Sequence, residues 1–423
     1  MSAYLHAFGA HLPPRVVSNA ELADRLKCTP EWIESVSGIR ERRWAGEETT
    51  VADLAFAAAE DCLTRAGADR SKLGMVIVAS GSAPPGFPGP AAEVAARLGL
   101  ENAPVLDLPM ASAGSLFGMA LASRLADSLG DILVVGAEKM SAVIQAYPLD
   151  QNTAILFGDG AGAVLISNRE GPRRILHSVL HTSGELRQEL SFDWKSALKM
   201  NGGSVILHAA RKIPSAIREV LEHESIAPAD VSTFLVHQAN QNLLVRVAKA
   251  LAVPTERVFS NIARYGNTSS ASLLIAAAEC ESISTRGATE PVAARRPADS
   301  GPEEGRSGLA RFSASGATEP VAAGRPADSG PEEGRSGLAR FSASGATESV
   351  AAGRPADSGF EEGRSDPARF SASGATEPVA AGRPADSGPE EGRSGPAPLR
   401  EKPGPVVFAA FGAGFHWGAL VAA

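Results

Sequence analysis

Cysteine is scarce in this sequence. Only three cysteines occur among 423 residues, and Cys28, Cys62 and Cys280 lie too far apart to form a CxxC pair. Structural zinc sites and the disulfide frameworks of small secreted proteins need cysteines at characteristic short spacings. We therefore expect neither, and we expect no metal site.

The sequence also has no basic stretch and no long apolar one. Lys and Arg number 40 against 48 Asp and Glu, a formal net charge of −8, so nucleic acid or an anionic membrane is not an expected partner. No run of about 18 consecutive residues is apolar. The opening MSAYLHAFGAHLPPR lacks the basic and apolar segments of a secretory signal. These absences predict a soluble, cytoplasmic protein.

Glycine and proline, by contrast, are abundant and unevenly placed. Residues 287–405 contain 19 of the 43 Gly and 15 of the 29 Pro. Near-copies of one 29-residue unit begin at Gly287, Gly316, Gly345 and Gly374. A solenoid repeat presents a hydrophobic stripe to its neighbour, and these units have none. We predict that residues 287–398 form a disordered insertion, and a binding array for a partner is the alternative.

Outside the repeat, short apolar strands alternate with helices rich in Ala and Leu. Helices are predicted over residues 50–66 and 112–128, and a short strand over residues 257–261. The alternation is typical of an α/β fold with extensive parallel pairing. The last residues, PVVFAAFGAGFHWGALVAA from Pro405 onward, predict a buried hairpin, because strands this apolar need cover on both faces.

The order of strands and helices in the first half recurs in the second, which predicts two related halves with the repeat inserted in the second. The predicted domains are an N-terminal half over residues 1–170, a C-terminal half over residues 171–286 and 399–423, and a low-complexity insertion over residues 287–398.

Three polar residues stand at the ends of predicted apolar elements. Ser112 is at the expected start of a helix, where the helix dipole favours developing negative charge. His237 ends an apolar strand, and Asn267 precedes a buried helix. Singly, they fit an N-cap serine, a hydrogen-bonded histidine and a turn asparagine. Together, a nucleophile, a base and a positioning amide at the seam between two halves indicate acyl transfer.

The Gly-rich segment GAGFHWG near the C-terminus supplies backbone N–H groups that could form an oxyanion hole. A hairpin turn is the ordinary alternative. Neither this segment nor FGDGAGA matches a phosphate-binding glycine pattern, so a nucleotide cofactor is not indicated.

Several motifs, in order along the chain, carry a resemblance to a known family. They are EWIESVSGIRER (31–42), DLPMASAGS (107–115), FGDGAGA (157–163), HQAN (237–240), YGNTSSAS (265–272) and FGAGFHWG (411–418). With these motifs the sequence resembles the β-ketoacyl-ACP synthase III family of the thiolase superfamily. The resemblance implies a thiolase-like five-layer αβαβα fold of two duplicated halves, a homodimer, and condensation of a starter acyl group with malonyl-ACP.

The resemblance also implies roles for individual residues. Ser112 would carry the acyl group, His237 and Asn267 would stabilise the enolate formed on decarboxylation, and the N–H groups of Ser112 and Ala413 would bind the oxyanion. No cofactor is implied, since acyl-CoA or acyl-ACP is the substrate. The implied substrate contacts are Trp32, Phe87, Phe157, Phe411 and Gln151, and the implied acyl-carrier-protein docking residues are Asn242 and Arg246.

The sequence departs from the family pattern at its nucleophile and at three cationic positions. The family nucleophile is Cys, whereas Ser112 must be deprotonated as it attacks, which would make His237 the base. Val36 and Gln151 stand where the family commonly has Arg for the coenzyme A nucleotide, and Asn242 where it has Arg for the carrier protein, so weaker recognition of free coenzyme A is expected. Some serine-bearing relatives select starter units in polyketide pathways.

Three functions therefore compete at the level of sequence. The first is condensation with the starter acyl group on Ser112. The second is malonyl-ACP decarboxylation or acyl transfer without C–C bond formation, which needs only His237 and Asn267. The third is a catalytically weak partner subunit, which the repeat and the lost arginines favour. The motifs leave open which acyl group is used and whether its donor is a coenzyme A or a carrier-protein thioester.

Overall fold

The structure is a computed structural model that describes residues 2–287 and 404–423. The predicted insertion over residues 287–398 lies outside the described residues except for Gly287, so its disorder stays a prediction. Within the described ranges, none of the helices combines the length and the hydropathy that a membrane crossing requires.

Strands and helices alternate along the described chain. The strands are β1 (Ala3–His11), β2 (Val16–Ser18), β3 (Glu41–Arg43), β4 (Leu73–Ala79), β5 (Val105–Leu108), β6 (Asp131–Lys139), β7 (Asp159–Ser167), β8 (Arg173–Thr182), β9 (Leu190–Ser191), β10 (Lys199–Met200), β11 (Thr233–Val236), β12 (Val406–Gly412) and β13 (His416–Ala422). The helices are α1 (Asn19–Leu26), α2 (Pro30–Ser37), α3 (Val51–Ala66), α4 (Pro90–Arg97), α5 (Gly114–Leu129), α6 (Met140–Gln145), α7 (Gln151–Ala154), α8 (Gly202–His223), α9 (Gln241–Leu251), α10 (Ile262–Tyr265) and α11 (Ser272–Gly287).

Nine strands form one continuous sheet, in the order β11-β12-β13-β8-β1-β7-β6-β4-β5. β4 pairs in parallel with β5 and β6, and β11 pairs in parallel with β12. The neighbours from β12 through β13, β8, β1 and β7 to β6 are all antiparallel. The prediction of extensive parallel pairing is therefore wrong for the middle of the sheet. Strands joined by tight connections, such as β12 and β13, must run in opposite directions.

Alternate residues of each strand enter different core clusters, which define the layers. On β4, Ile77 packs with α5 and α11, whereas Val76 and Val78 pack with α3 and α4. On β12, Phe408 faces the same α5–α11 layer, and Val407 packs with α8 and α9. The two ends of the sheet therefore lie on opposite sides of α5 and α11, and the order of layers is helix, strand, helix, strand, helix. This confirms the predicted thiolase-like αβαβα fold.

Local sequence explains most element boundaries. The helix predicted over residues 50–66 is confirmed as α3, because Thr50 and Asp53 form a reciprocal capping box at its start and Gly67 ends it in a left-handed conformation. The strand predicted over residues 257–261 is wrong. A 3-10 turn occupies Thr255–Arg257, and Val258 makes only an isolated bridge to Phe234.

The last described residues are interior strands of the sheet. β12 and β13 pair from Val406 with Ala422 to Gly412 with His416. β12 also pairs with β11, beginning with Thr233 beside Val406. The predicted buried hairpin after the insertion is therefore confirmed.

Deleting residues 287–398 should leave a folded protein, because described residues from both sides of that segment already pack together in common core clusters. Closing a shorter loop changes the chain entropy only slightly. We expect a soluble protein whose unfolding temperature is within about 5 °C of the full chain, measured by scanning calorimetry. Deleting residues 404–423 is the control and should abolish folding, since it removes β12 and β13. Insoluble protein after the first deletion would contradict the disorder prediction.

Candidate active site

Ser112 lies in the connection between β5 and α5. The residue is 7% exposed, and its φ of 60° is in the left-handed region, where residues with side chains are uncommon. The prediction that Ser112 starts or caps the helix is wrong, because Ala113 holds the N-cap position and Gly114 is the first helical residue. A serine in this turn presents its hydroxyl ahead of the helix N-terminus, where the helix dipole still favours negative charge.

Gly412, at the end of β12, packs directly on the backbone around Ser112. A Cβ atom at position 412 would lie 2.3 Å from the Ala111 carbonyl oxygen and 2.8 Å from the Ala113 nitrogen. Only glycine permits this approach. The motif that follows the insertion thus reaches Ser112, as its position in the predicted hairpin required.

The backbone N–H of Ser112, a predicted oxyanion donor, is already hydrogen bonded. It donates to Ser269 Oγ at 2.9 Å, and the Ser269 N–H donates in turn to Asn267 Oδ1 at 2.9 Å. Ser269 therefore ties the GNTSSAS segment to the turn that carries Ser112. Sequence reasoning missed this residue, although it lies inside the motif that identified Asn267.

His237 follows β11 and is buried, with 3% exposure. Its Nδ1 lies 2.6 Å from Ser272 Oγ, which also accepts the Gln238 N–H at 3.2 Å. Burial lowers the pKa of His237 to about 4, so the imidazole is neutral at pH 7. A neutral imidazole has one donor and one acceptor nitrogen. With Nδ1 engaged by Ser272, Nε2 is the nitrogen left for a substrate.

Asn267 is held by hydrogen bonds of its backbone and of its side-chain oxygen. Its N–H donates to the Leu156 carbonyl at 2.8 Å, and its carbonyl accepts the Gly158 N–H at 3.0 Å. Its Oδ1 is the acceptor for Ser269. The side-chain Nδ2, which carries two hydrogens, is therefore the group that Asn267 offers to a ligand.

Ser112, His237 and Asn267 line one cavity of about 500 Å³. A second cavity of about 140 Å³ also reaches Ser112 and shares Phe157 and Leu190 with the first. The other large apolar side chains in its wall are Met140, Val143, Phe192 and Leu198, and Ser191 and Ser269 also line it. Ser112 thus stands at the junction of a large cavity and a small apolar one.

The predicted substrate-contacting residues divide into two groups. Trp32, Phe157 and Phe411 line the large cavity, and Ala413 lines the small one. The other two predicted contacts, Phe87 and Gln151, line neither cavity in the single chain. The side chain of Phe87 is 98% exposed. At the start of α7, the residue that lines the large cavity is Asn152, which follows Gln151.

The two predicted docking residues lie on α9. Asn242 is exposed, but its Nδ2 donates weakly to the carbonyls of Ser35 and Val36, both at 3.4 Å. Its amide therefore ties α9 to α2. Arg246, one turn later, is exposed and has no ion pair with any described residue.

Glu138, in β6, is a supporting residue that sequence reasoning missed. Its carboxylate is fully buried and accepts hydrogen bonds from Ser82 Oγ at 2.5 Å, from the Gly81 N–H at 3.0 Å and from the Ser270 N–H at 3.2 Å. It thereby braces the loop that contains Ser269. The signal in the sequence was an acidic residue near the end of an otherwise apolar strand.

A possible metal-ligand cluster lies away from these cavities. His177, His223 and Glu224 place ligand atoms within 4.8 Å of one another, on β8 and at the end of α8. None of the three lines a cavity at Ser112. The chemistry of the site therefore has to be derived from its serine, histidine and amide groups.

Comparison with known proteins agrees with this geometry. Residues 106–184, which contain Ser112, match the family described as 3-oxoacyl-[acyl-carrier-protein] synthase III, and residues 221–287 match its C-terminal part. A β-ketoacyl-[acyl-carrier-protein] synthase III of Rhodobacter capsulatus is 37% identical over 288 residues, which cover 65% of this chain and 88% of that protein. The chain belongs to the 3-oxoacyl-acyl-carrier-protein synthase III family.

Synthase III proteins from other sources are similar to this chain in sequence and in structure. The relative from Aquifex aeolicus is 35% identical over 270 residues, which cover 63% of this chain and 86% of the relative. The crystal structure of a synthase III from Aquifex aeolicus VF5 matches 99% of this chain and 99% of that chain with a TM-score of 0.69 at 24% identity, which supports the fold. Synthase III enzymes are acyl-transferring condensing enzymes, so the predicted acyltransferase class is confirmed.

Stability of this synthase III family member should depend on the protonation of His237. In the unfolded chain His237 takes up a proton near pH 6.5, whereas in the folded chain it does so only near pH 4. The free energy of unfolding should therefore fall as the pH drops from about 6.5 towards 4. His237→Gln should make that part of the profile flatter, as measured by urea unfolding at about pH 7 and pH 5. The exposed His223, changed to Gln, is the control, and an equally steep profile without His237 would contradict the assignment.

Proposed function

We propose that the protein condenses a short starter acyl thioester with malonyl-ACP, with the acyl group carried on Ser112, in fatty acid or polyketide initiation. The observation that carries the proposal is the position of Ser112, where the large cavity lined by His237 and Asn267 meets the small apolar cavity. The small cavity suits the acyl group, and the large one suits the rest of the thioester.

The first step is transfer of the acyl group. Ser112 Oγ attacks the thioester carbonyl while its proton passes to Nε2 of His237, which burial keeps unprotonated at pH 7. The C–S bond breaks, and the imidazolium returns the proton to the leaving thiolate. The oxyanion can be stabilised by the Ala413 N–H and by the Ser112 N–H. The Ser112 N–H must exchange Ser269 Oγ for the stronger, charged acceptor.

The second step is decarboxylative condensation. The malonyl group loses CO2, and its enolate oxygen accepts hydrogen bonds from His237 Nε2 and Asn267 Nδ2. The carbanion attacks the Ser112 ester, the C–O bond to the serine breaks, and Ser112 Oγ takes a proton from His237 Nε2, which is replaced by a proton from solvent. Ser272 suits both steps, because a hydroxyl can either donate to Nδ1 or accept from it and so supports either tautomer.

Changing Ser112 tests the covalent step. Ser112→Ala should give no acyl adduct by intact mass, whereas the wild type gives one with a suitable donor. Ser112→Cys should be acylated faster by at least about tenfold, because a thiol is a few per cent thiolate at pH 7 and is intrinsically more nucleophilic. Condensation that continues unchanged in Ser112→Ala would rule out the covalent route.

The small cavity limits the starter group to a short apolar chain. A cavity of about 150 Å³ lined by apolar residues holds benzene, so this one suits acyl groups of up to roughly six carbons. Phe192→Ala should extend the accepted length. The measurement is the mass of the acyl-enzyme formed from a series of straight-chain thioesters, and Trp194→Ala, which alters the ring that packs against Phe192, is the matched control. A length profile identical to wild type would argue against this cavity as the acyl site.

A second candidate function is decarboxylation of malonyl-ACP without condensation. The occupied N–H of Ser112 favours it, because an oxyanion at the serine must displace Ser269 whereas His237 and Asn267 need no such change. Consumption of malonyl-ACP that yields acetyl-ACP and no β-ketoacyl product would support this alternative. Copurification with a competent ketosynthase, at low intrinsic turnover, would instead indicate a partner subunit.

We also propose that the protein acts as a homodimer. Phe87 supports this, because a large aromatic side chain that is 98% exposed in one chain is a candidate for burial against a second copy. That arrangement would account for a predicted substrate contact that lines neither cavity of a single chain.

A further inference from the structure

The wall of the large cavity is uncharged among the described residues. Its polar groups, apart from Ser112 and His237, are the amide side chains of Asn152, Asn201, Asn240 and Asn267. The rest of the wall is apolar side chains, glycine and Trp32. The exposed members Val36, Asn152, Asn201 and Gly203 mark its mouth. A ligand that fills this cavity therefore meets amides and hydrocarbon, and no ammonium or guanidinium group.

Among the residues that the structure describes, the α2 side of the mouth supplies no unpaired cation. The carbonyl of Val36 accepts the Asn240 Nδ2 hydrogen bond at 2.9 Å, so an amide fills the junction of α2 and α9. Arg40, which follows α2, is paired with Glu34 at 2.7 Å. Phosphate groups are bound most strongly by charge-assisted and bidentate contacts from Arg or Lys. This side of the mouth therefore has little to offer a nucleotide with several phosphates.

The acyl thioesters available to this chemistry share one part and differ in another. All end in a pantetheine arm, which has two amides, a hydroxyl and a dimethyl group and carries no charge. Coenzyme A adds a diphosphate and a 3′-phosphate that would lie at the mouth, whereas a carrier protein adds a serine-linked phosphate and its own surface. The cavity matches the shared arm by its amides and apolar groups, and it does not match the coenzyme A nucleotide.

The helices that contribute to the cavity wall also carry exposed apolar side chains. Val36 on α2, Leu207 on α8 and Val245 on α9 are exposed by 37%, 49% and 42%, on the helices that line the cavity or adjoin it. Arg246 lies beside Val245 with no ion pair to a described residue. Exposed apolar side chains with a free cation fit an acidic protein helix better than they fit a nucleotide.

We propose that the acyl donor for Ser112 is an acyl group on the phosphopantetheine arm of a carrier protein, and that the nucleotide of free acyl-CoA contributes no affinity. The proposal rests on the proposed function, because it names the donor for the same serine. One carrier-protein surface would then serve both donor and malonyl acceptor.

A series of donors with one acyl group tests the proposal. Acyl-pantetheine, acyl-CoA and acyl-carrier protein are compared by the rate at which the mass of the full chain increases at Ser112. We expect acyl-CoA and acyl-pantetheine to agree within about threefold, and the acyl-carrier protein to exceed both by at least about tenfold in kcat/KM. A preference of tenfold or more for acyl-CoA over acyl-pantetheine would overturn the proposal.

Val36→Arg provides a gain-of-function test at the mouth. A guanidinium there should raise the ratio of kcat/KM for acyl-CoA to kcat/KM for acyl-pantetheine by about tenfold, because a charged donor binds phosphate groups strongly. Val16→Arg is the control, because it places the same charge on an exposed valine that lines neither cavity, and it should leave this ratio unchanged. A ratio that rises equally in Val16→Arg would mean that a cation at the mouth is not what acyl-CoA lacks, and would overturn the proposal.

The proposed covalent function and the proposed acyl donor would be contradicted by different results. If no donor acylates Ser112, the covalent function is wrong, and the donor assignment falls with it. If acyl-CoA acylates Ser112 with a strong preference over acyl-pantetheine, the covalent function stands and only the donor assignment is wrong.

Discussion

The close approach of Gly412 to the Ala111–Ala113 backbone is the constraint on which the site depends. A Cβ atom at position 412 would come within 2.3 Å of a carbonyl oxygen, so the hairpin can close against the serine turn only with glycine at this point. This contact joins the serine turn between β5 and α5 to the hairpin that follows the insertion. It also brings the following residue, Ala413, to the small cavity beside Ser112.

Burial then sets the chemistry of the groups around that contact. His237 is buried and has a pKa of about 4, so at pH 7 it is available as a neutral base or donor. Its partner Ser272 can donate or accept, which leaves the tautomer free to follow the reaction. The buried carboxylate of Glu138 is satisfied entirely by hydroxyl and backbone donors and holds the adjoining loop in place.

The success of sequence reasoning followed the range of the interactions concerned. α3 was predicted correctly because the helical spacing of its apolar residues is a local signal, and the capping box and Gly67 that bound it are local as well. The start of α5 was predicted wrongly, because the left-handed conformation of Ser112 arises in a turn that contacts Gly412 and Ser269 from distant parts of the chain. Parallel pairing was overestimated for the same reason, since the antiparallel ladder of β1 with β7 joins strands that are far apart in sequence. Phe87 and Gln151 were assigned to substrate contact by resemblance, and neither lines either of the two cavities at Ser112.

The sequence by itself determined which residue types are present, their order, and the motifs that identify the family. Those properties belong to short segments and do not depend on how the chain folds. The tertiary structure decided that Ser112, His237 and Asn267 line one cavity, that the N–H of Ser112 is held by Ser269, and that the wall is uncharged among the described residues. Each depends on residues from distant parts of the chain, such as Ser112 and Ser269, which meet only once the layers have packed.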